Sequence, residues 1–545
     1  MSQPRPKANN RSNRNIAMPT STDGGTSLPE ASSRGLAVKS IRQSSIGRHS
    51  SGNSPATWKN NKDEYLKKRM LMPAYANSFH VWGFVVGAVI SGEFSGFNTG
   101  YVYGLGSMIV AHIFASLLMV CVSLNLTELV TAMPFASGCA AYANAAFNGV
   151  VACFIGYAYT FDMVFIGGEV TNFIGAALAL LFNTEPRFNI LYYLLTILIC
   201  HLINFYPKVY FNVVTIGSAV SCLMVIIPLI AVAPQIDFSQ AFTTMIPLSD
   251  GTVIISTDLL PYGFSGVINC FPLALYLLIC FESMPCCVEE TQEIKTTIPR
   301  GMLMANLTIL FLSWIALVVC AGMPPGVSLL TAASLPYSDI LSNAFNMSNH
   351  QAVTLISLPS VFASQLAIYY GVTRYIYGQS RGGYMPPILS LTTSQGAPYT
   401  AMIATSFMFT VLSVVLQYSS ANDTASTLVT MGTIFALTAY IVQPIVYIRL
   451  KIRLPDLPRP FNMKSLGVGV ATLNIIIATG ALIGMVYLNR MWQLCLAGIA
   501  VAYVLMVPFY LLVVRHYLTD SPEKMFIKRQ LDSIMRESVR SPSTA

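Results

Sequence analysis

Four acidic side chains stand where a water-soluble protein would not put them. Glu93, Asp162, Glu169 and Glu282 lie well inside long apolar runs, and no Lys or Arg shares the middle of any such run; Arg374 comes nearest, at a run's inner end. A carboxylate in hydrocarbon is costly, so these positions are functional candidates by default. Lacking a fixed cation, each acid must be protonated, face water, or meet a cation that comes and goes. Burial favours the neutral acid, which suits a proton carrier, and a travelling ammonium group would serve equally well. Asp162 and Glu169 are seven residues apart and share one helix face. For that pair, a neutral acid hydrogen-bonded to a neighbouring helix is an equally weighted alternative. His112 and His201 are lone histidines on apolar runs and read as satisfied core residues rather than proton relays.

Two of the acids sit beside helix breakers. The run VWGFVVGAVISGEFSGFNTG carries Gly83, Gly87, Gly92 and Gly96, with Ser91-Gly92-Glu93 at its centre. In INCFPLALYLLICFESMPCCVEET, Glu282-Ser283 is followed by Pro285. Many secondary transporters hold substrate at discontinuous helices in matching positions of two repeats. Breaks are therefore expected at Ser91–Glu93 and Phe281–Ser283. Close helix packing at glycine and a proline kink would explain the breakers, but not the glutamates.

The elements that must position these residues follow from composition. Of 545 residues, 54% are hydrophobic and 10% charged, with mean hydropathy +0.59. A soluble protein carries about 25% charge, so several soluble domains are excluded in favour of one polytopic membrane domain. A bilayer core of about 30 Å needs about 20 apolar residues in a helix. Twelve such runs can be drawn, from Val81–Tyr103 to Met491–Val514, with Gly149–Phe182 third and Val267–Val288 sixth. The expected fold is thus all-α with twelve transmembrane helices. The charge sits at its ends: 13 Lys and Arg precede His80 and six follow the last run. With the N-terminus inside, only Arg187 and Arg490 of the 31 basic residues fall outside, as the positive-inside rule requires. Both termini are then cytoplasmic, in a multi-pass protein expected at the plasma membrane. The same distribution argues against a nucleic-acid partner.

Residues 1–75 are rich in Ser, Asn, Arg and Gly and are expected to form a disordered tail; 76–516 form the membrane domain and 517–545 a second tail. The latter either starts as a short amphipathic helix (Met525, Phe526, Leu531, Ile534, Met535) or is unstructured. Sequons at Asn346 and Asn422 fall in expected outer loops. The eleven cysteines lie in or beside apolar runs, in neither a disulfide nor a zinc pattern. There is no HExxH, P-loop or G-x-S-x-G, so neither an enzyme nor a cofactor or metal site is expected.

Four motifs, in order, carry a resemblance covering about residues 75–515. They are ISGEFSGFN; LTELVTAMPFASGCAAYANAAFNG; FESMPCCVEETQEIKTTIPRG; and TRYIYGQSRGGYMPP with PDLPRPF at 455–461. The chain resembles the amino acid–polyamine–organocation transporters, and within them the ethanolamine and amino-acid permeases. The resemblance implies a five-plus-five inverted repeat with two further C-terminal helices. It implies that the first break binds a substrate carboxylate at Ser91 and Gly92. The second would bind an amino group through carbonyls near Cys280, Phe281 and Ser283. It further implies that Tyr276 lids the site and that Glu282 is linked to proton sensing. Helix N-termini favour anions and C-termini cations, which fits those roles. Three departures stand out. The fifth-span lysine of some proton-coupled relatives aligns with Ser221; the usual Arg-Asp-Gly is Arg381-Gly382-Gly383; and Glu93 is unusual for amino-acid permeases, which shifts weight toward amines. The expectation is a secondary-active importer of amino acids or small amines, coupled to protons, with Na+ as the alternative coupling ion. An ethanolamine- or polyamine-type permease and a non-transporting nutrient receptor on the same scaffold are the alternatives.

Overall fold

The computed structural model describes residues 68–514, except 95, 239–240, 248–252, 324–325, 332–335, 346–349, 419–420 and 489–491, together with Met525, Phe526 and Arg529. The expected tail up to residue 67, most of 515–545, and the Asn346 sequon lie outside the described residues.

The described chain is all-α apart from one antiparallel hairpin, β1 (Thr244–Pro247) with β2 (Val253–Ser256), between the sixth and seventh helices. Nine helical segments among the described residues are long and apolar enough to cross a membrane. In chain order the helices are α1 (Ser78–Val89), α2 (Leu105–Ala132), α3 (Cys139–Ala146), α4 (Gly149–Phe182), α5 (Asn189–Asn204), α6 (Pro207–Val232), α7 (Gly263–Tyr276) and α8 (Ile294–Ala321). Then follow α9 (Val327–Leu330), α10 (Pro336–Ala344), α11 (His350–Gly382), α12 (Tyr399–Tyr418), α13 (Ala421–Arg453), α14 (Leu466–Leu488) and α15 (Trp492–Phe509). The sequon residue Asn422, expected in a loop, falls in the first turn of α13. The short helix α3 was not expected at all; it follows Gly138, whose φ of +50° turns the chain out of α2.

Polarity is arranged as a bilayer demands. Helix α5 exposes Leu191, Leu194, Leu195, Leu198 and Leu202, a leucine face that water would not tolerate but lipid does. The polar side chains turn inward, and Asn125, Asp162, Gln365, Gln443 and Asn474 are fully buried. This is a multi-pass membrane protein. At its centre lies α4, 34 residues and ~51 Å long at 1.5 Å per residue. It starts at the cap Asn148, whose side chain accepts from the Val150 and Val151 amides, and ends at Asn183 in the left-handed region. Helices α11, α12 and α13 pack on α4, while α1 packs on α6, α8 and α11.

Candidate functional site at the two helix breaks

Two helices stop in mid-course. Helix α1 ends at Val89, and the chain continues as 3₁₀ turns over Ile90–Glu93 and Phe97–Tyr103. Helix α7 ends at Tyr276, and a 3₁₀ segment resumes at Phe281–Glu290. Both expected breaks are therefore present, the second opening at Leu277–Cys280, just before the expected Phe281–Ser283, and they touch. A Cβ on Gly92 would lie 2.8 Å from the Tyr276 carbonyl oxygen and 3.1 Å from the Leu277 Cα; only a glycine lets the two backbones approach so closely. At Gly96, φ is +88° and the Tyr276 ring covers the space a Cβ would fill. The turn of the second break rests on Cys280, with φ +75°, a conformation that costs an L-residue about 1–2 kcal/mol.

The side chains around these breaks are closed off from solvent. Ser91 and Tyr276 are 4% exposed, Phe281 2%, and Glu93, Asp162, Cys280, Glu282 and Ser283 not at all. Ser91 accepts a hydrogen bond from Ser364 of α11 at 2.8 Å. The Glu282 carboxyl accepts from the Tyr440 hydroxyl of α13 at 2.7 Å, and its carbonyl accepts from Tyr375 of α11 at 2.9 Å. Asp162 comes within hydrogen-bonding reach of Glu282, yet neither Asp162 oxygen finds a donor. Two carboxyl groups bond to one another only if one keeps its proton or a cation lies between them. Two turns along α4, half-buried Glu169 meets the Tyr276 hydroxyl.

Glu93 stands apart from this group. Both its oxygens are buried without a donor, and the turn that carries it packs on α6, α8 and α11. The structure thus brings together Gly92, Tyr276, Glu169, Asp162 and the Cys280–Ser283 turn, and sets Glu93 at the same break facing other helices. The two histidines hold core bonds: His112 contacts Ala274 O and Ser313, and His201 contacts the Tyr369 hydroxyl.

A second polar cluster was not read from the sequence. Arg374, expected at a helix end, is fully buried within α11 and pairs with Glu290 at 3.3 Å, while Tyr370 donates to the same carboxylate. Arg381 pairs with Glu289. The Glu290 carbonyl accepts from the Tyr75 and Ala76 amides at 2.7 and 2.9 Å, fastening the chain before α1 to the end of the broken segment. Glu128 of α2 gathers Lys451 at 3.1 Å, Arg459 at 3.4 Å and the Tyr447 hydroxyl at 2.8 Å. The available signal was spacing: Arg374 and Arg381 are seven apart, on one face of α11, facing a Glu-Glu pair.

The family model described as amino acid permease matches residues 77–514. The chain belongs to the amino acid permease family. Members are transporters of the amino acid–polyamine–organocation superfamily and not enzymes. The chain is 26% identical over 204 residues to the branched-chain amino acid permease BcaP of Bacillus subtilis (strain 168), covering 37% of this chain and 42% of that protein. It is 27% identical over 278 residues to an uncharacterized transporter of Rhizobium meliloti (strain 1021), covering 47% and 53%. The chain thus spans about half the length of the curated relatives it matches. The match of the permease family runs across both breaks, so the buried acids beside them lie within the matched residues.

Proposed function

We propose that this permease is a secondary-active importer of amino acids or small amines, coupled to protons, working by alternating access around the breaks after α1 and α7. The observation that carries the reading is the contact of the two breaks beside buried carboxyls that have no cation. Substrate carboxylate is taken by the amides and hydroxyl of Ser91 and Gly92. The ammonium group is taken at the Cys280, Phe281 and Ser283 turn, with Tyr276 as the lid; Glu93, at the other break and turned away from that turn, reads the amine through its charge rather than by contact. Glu282, with Glu169 and Asp162, carries the proton, since a carboxyl opened in turn to each aqueous side can take up a proton on one and release it on the other.

The architecture proposed with it has twelve spans: the nine long helices, the broken α1, α11, and α15. They form a five-plus-five inverted repeat followed by α14 and α15, with tails over 1–75 and 517–545, both termini cytoplasmic, at the plasma membrane. Counter-flow in proteoliposomes under an imposed pH gradient tests this. Uptake of a labelled amino acid or amine that rises with an inward proton gradient is expected. Uptake driven only by Na+ would replace the coupling ion, and binding without flux would leave a receptor.

A further inference from the structure

The leucine face of α5 borders one polar spot, and the chemistry of that spot selects a lipid. We propose that the groove between α5 and α12 binds a sterol, whose hydroxyl donates a hydrogen bond to His201 Nε2 while its ring system lies on the leucines.

The groove has a volume of about 500 Å³, the size of a site for one small molecule. Leu194 and Leu198 of α5 and Phe407 of α12 form its walls, and His201, Ser406 and Thr410 are its polar members. The three wall residues are exposed on the outside of the helix bundle, so the groove opens to lipid. Among the described residues no Lys, Arg, Asp or Glu lines it, and nothing in it selects a charged headgroup.

The hydrogen bonds fix what the polar spot offers. Tyr369 of α11 has one hydroxyl proton, which reaches the Met402 carbonyl of α12 at 2.9 Å. With that proton placed, the other two neighbours of the Tyr369 oxygen, Ser406 Oγ at 2.7 Å and His201 Nδ1 at 2.9 Å, are its donors. A neutral imidazole with its proton on Nδ1 has a bare acceptor at Nε2, and Nε2 has no partner among the described residues. Thr410 donates to the Ser406 carbonyl at 2.8 Å. The groove therefore presents an unused acceptor and has no side-chain proton left to give. On a wall that faces lipid, an unmet polar atom is costly, and a lipid hydroxyl meets it.

The depth suits a sterol. His201 lies three residues before the end of α5 at Asn204, just inside the turn that carries Tyr206 and Lys208, residues of the kinds that mark a membrane surface. A sterol keeps its single hydroxyl just beneath the headgroups. From His201, Leu198 and Leu194 continue for about 4.5 and 10.5 Å along the helix, an apolar strip that runs away from the helix end and into the bilayer. A rigid ring system loses less conformational freedom on that strip than an acyl chain does, which favours a sterol over a diacylglycerol. The bound hydroxyl completes a chain of bonds joining α5, α11 and α12, and α11 also supplies Ser364 to the first break.

Saturable binding of tritium-labelled cholesterol to the full-length protein in detergent, with competition by unlabelled lipids, tests this. Cholesterol should compete at least ten-fold better than a diacylglycerol, and at least ten-fold better than the corresponding steroid ketone, which accepts a hydrogen bond but cannot donate one. His201→Phe should weaken cholesterol binding at least ten-fold and remove the preference for alcohol over ketone. Leu198→Trp, which fills the groove and leaves the hydrogen bonds alone, should weaken alcohol and ketone together. A ketone as potent as the alcohol overturns the proposal, as does a diacylglycerol that competes equally well, or cholesterol binding that neither variant changes. If His201→Phe does not fold, the wild-type competition series and Leu198→Trp decide it.

Discussion

The acids beside the helix breaks and the acids at the Glu289–Glu290 end of the same broken segment are equally foreign to a membrane interior, and the protein treats them in opposite ways. Glu290, Glu289 and Glu128 each hold an arginine or lysine, with tyrosine hydroxyls or backbone amides filling other positions. Glu93, Asp162 and Glu282 have no basic partner among the described residues. A carboxylate with a permanent cation is committed to architecture, since removing either partner strands the other. A carboxyl without one stays open to a charge that arrives and departs. Burial alone therefore does not single out a candidate acid here; the missing counter-charge is what separates the two groups.

The comparison breaks most sharply if a paired acid proves dispensable. Arg374→Met should strand Glu290 and cost about 3–5 kcal/mol of stability, visible as a large fall in melting temperature and expression. The Arg374→Met/Glu290→Gln double variant should regain most of that loss. A single variant as stable as wild type would show that the pair is not structural.

At the unpaired end the expected losses are in transport. Gly92→Leu should bring uptake to background, a loss above about 100-fold, in protein that still reaches the membrane, because the added side chain forces apart two backbones in contact. Near-normal uptake would place the substrate elsewhere. Glu282→Gln should lower uptake about 10- to 100-fold and flatten its pH profile between pH 5 and 8. The sign follows from the role: if the carrier must be protonated, wild-type uptake falls as pH rises, and a permanently neutral amide cannot follow it. A variant that keeps the wild-type profile excludes Glu282 as the proton carrier. The smallest effect is expected at Glu93, which faces α6 and α8. Glu93→Gln should shift the potency of ethanolamine relative to a neutral amino acid by about 3- to 10-fold against the amine, a difference of about 1 kcal/mol. An unchanged ratio in competition assays removes Glu93 from selectivity.

Much of this arrangement was legible in the sequence because its causes are local. Gly92 and Gly96, and Pro285 after Glu282, weaken a helix locally, although Pro359 and Pro444 sit inside the continuous α11 and α13, and the third apolar run, Gly149–Phe182, matches α4 at both ends. What was not legible depends on which helices meet. Nothing about Tyr440 or Tyr375 marks them among 27 tyrosines until α13 and α11 pack against the second break. Arg374 read as a helix-end residue because charge usually flanks a span; its burial is tolerated only because Glu290 is brought in from the second broken segment, with Tyr370 one turn earlier on α11. Asp162 and Glu169 were visible as one face, but that Asp162 meets Glu282 and Glu169 meets Tyr276 is a fact of tertiary packing.

Cys280 turns the second break into its own timepiece. Its thiol is fully enclosed at the point where the chain reverses into the left-handed region, and thiol reagents attack only a sulfur they can touch. Each exposure of the break to water is then an opportunity for alkylation. The rate at which Cys280 acquires a maleimide, followed by peptide mass spectrometry against the buried cysteines that have no reason to open, counts openings per unit time in the unmodified protein. A ligand that holds the break shut would slow that clock, and one that promotes turnover would quicken it.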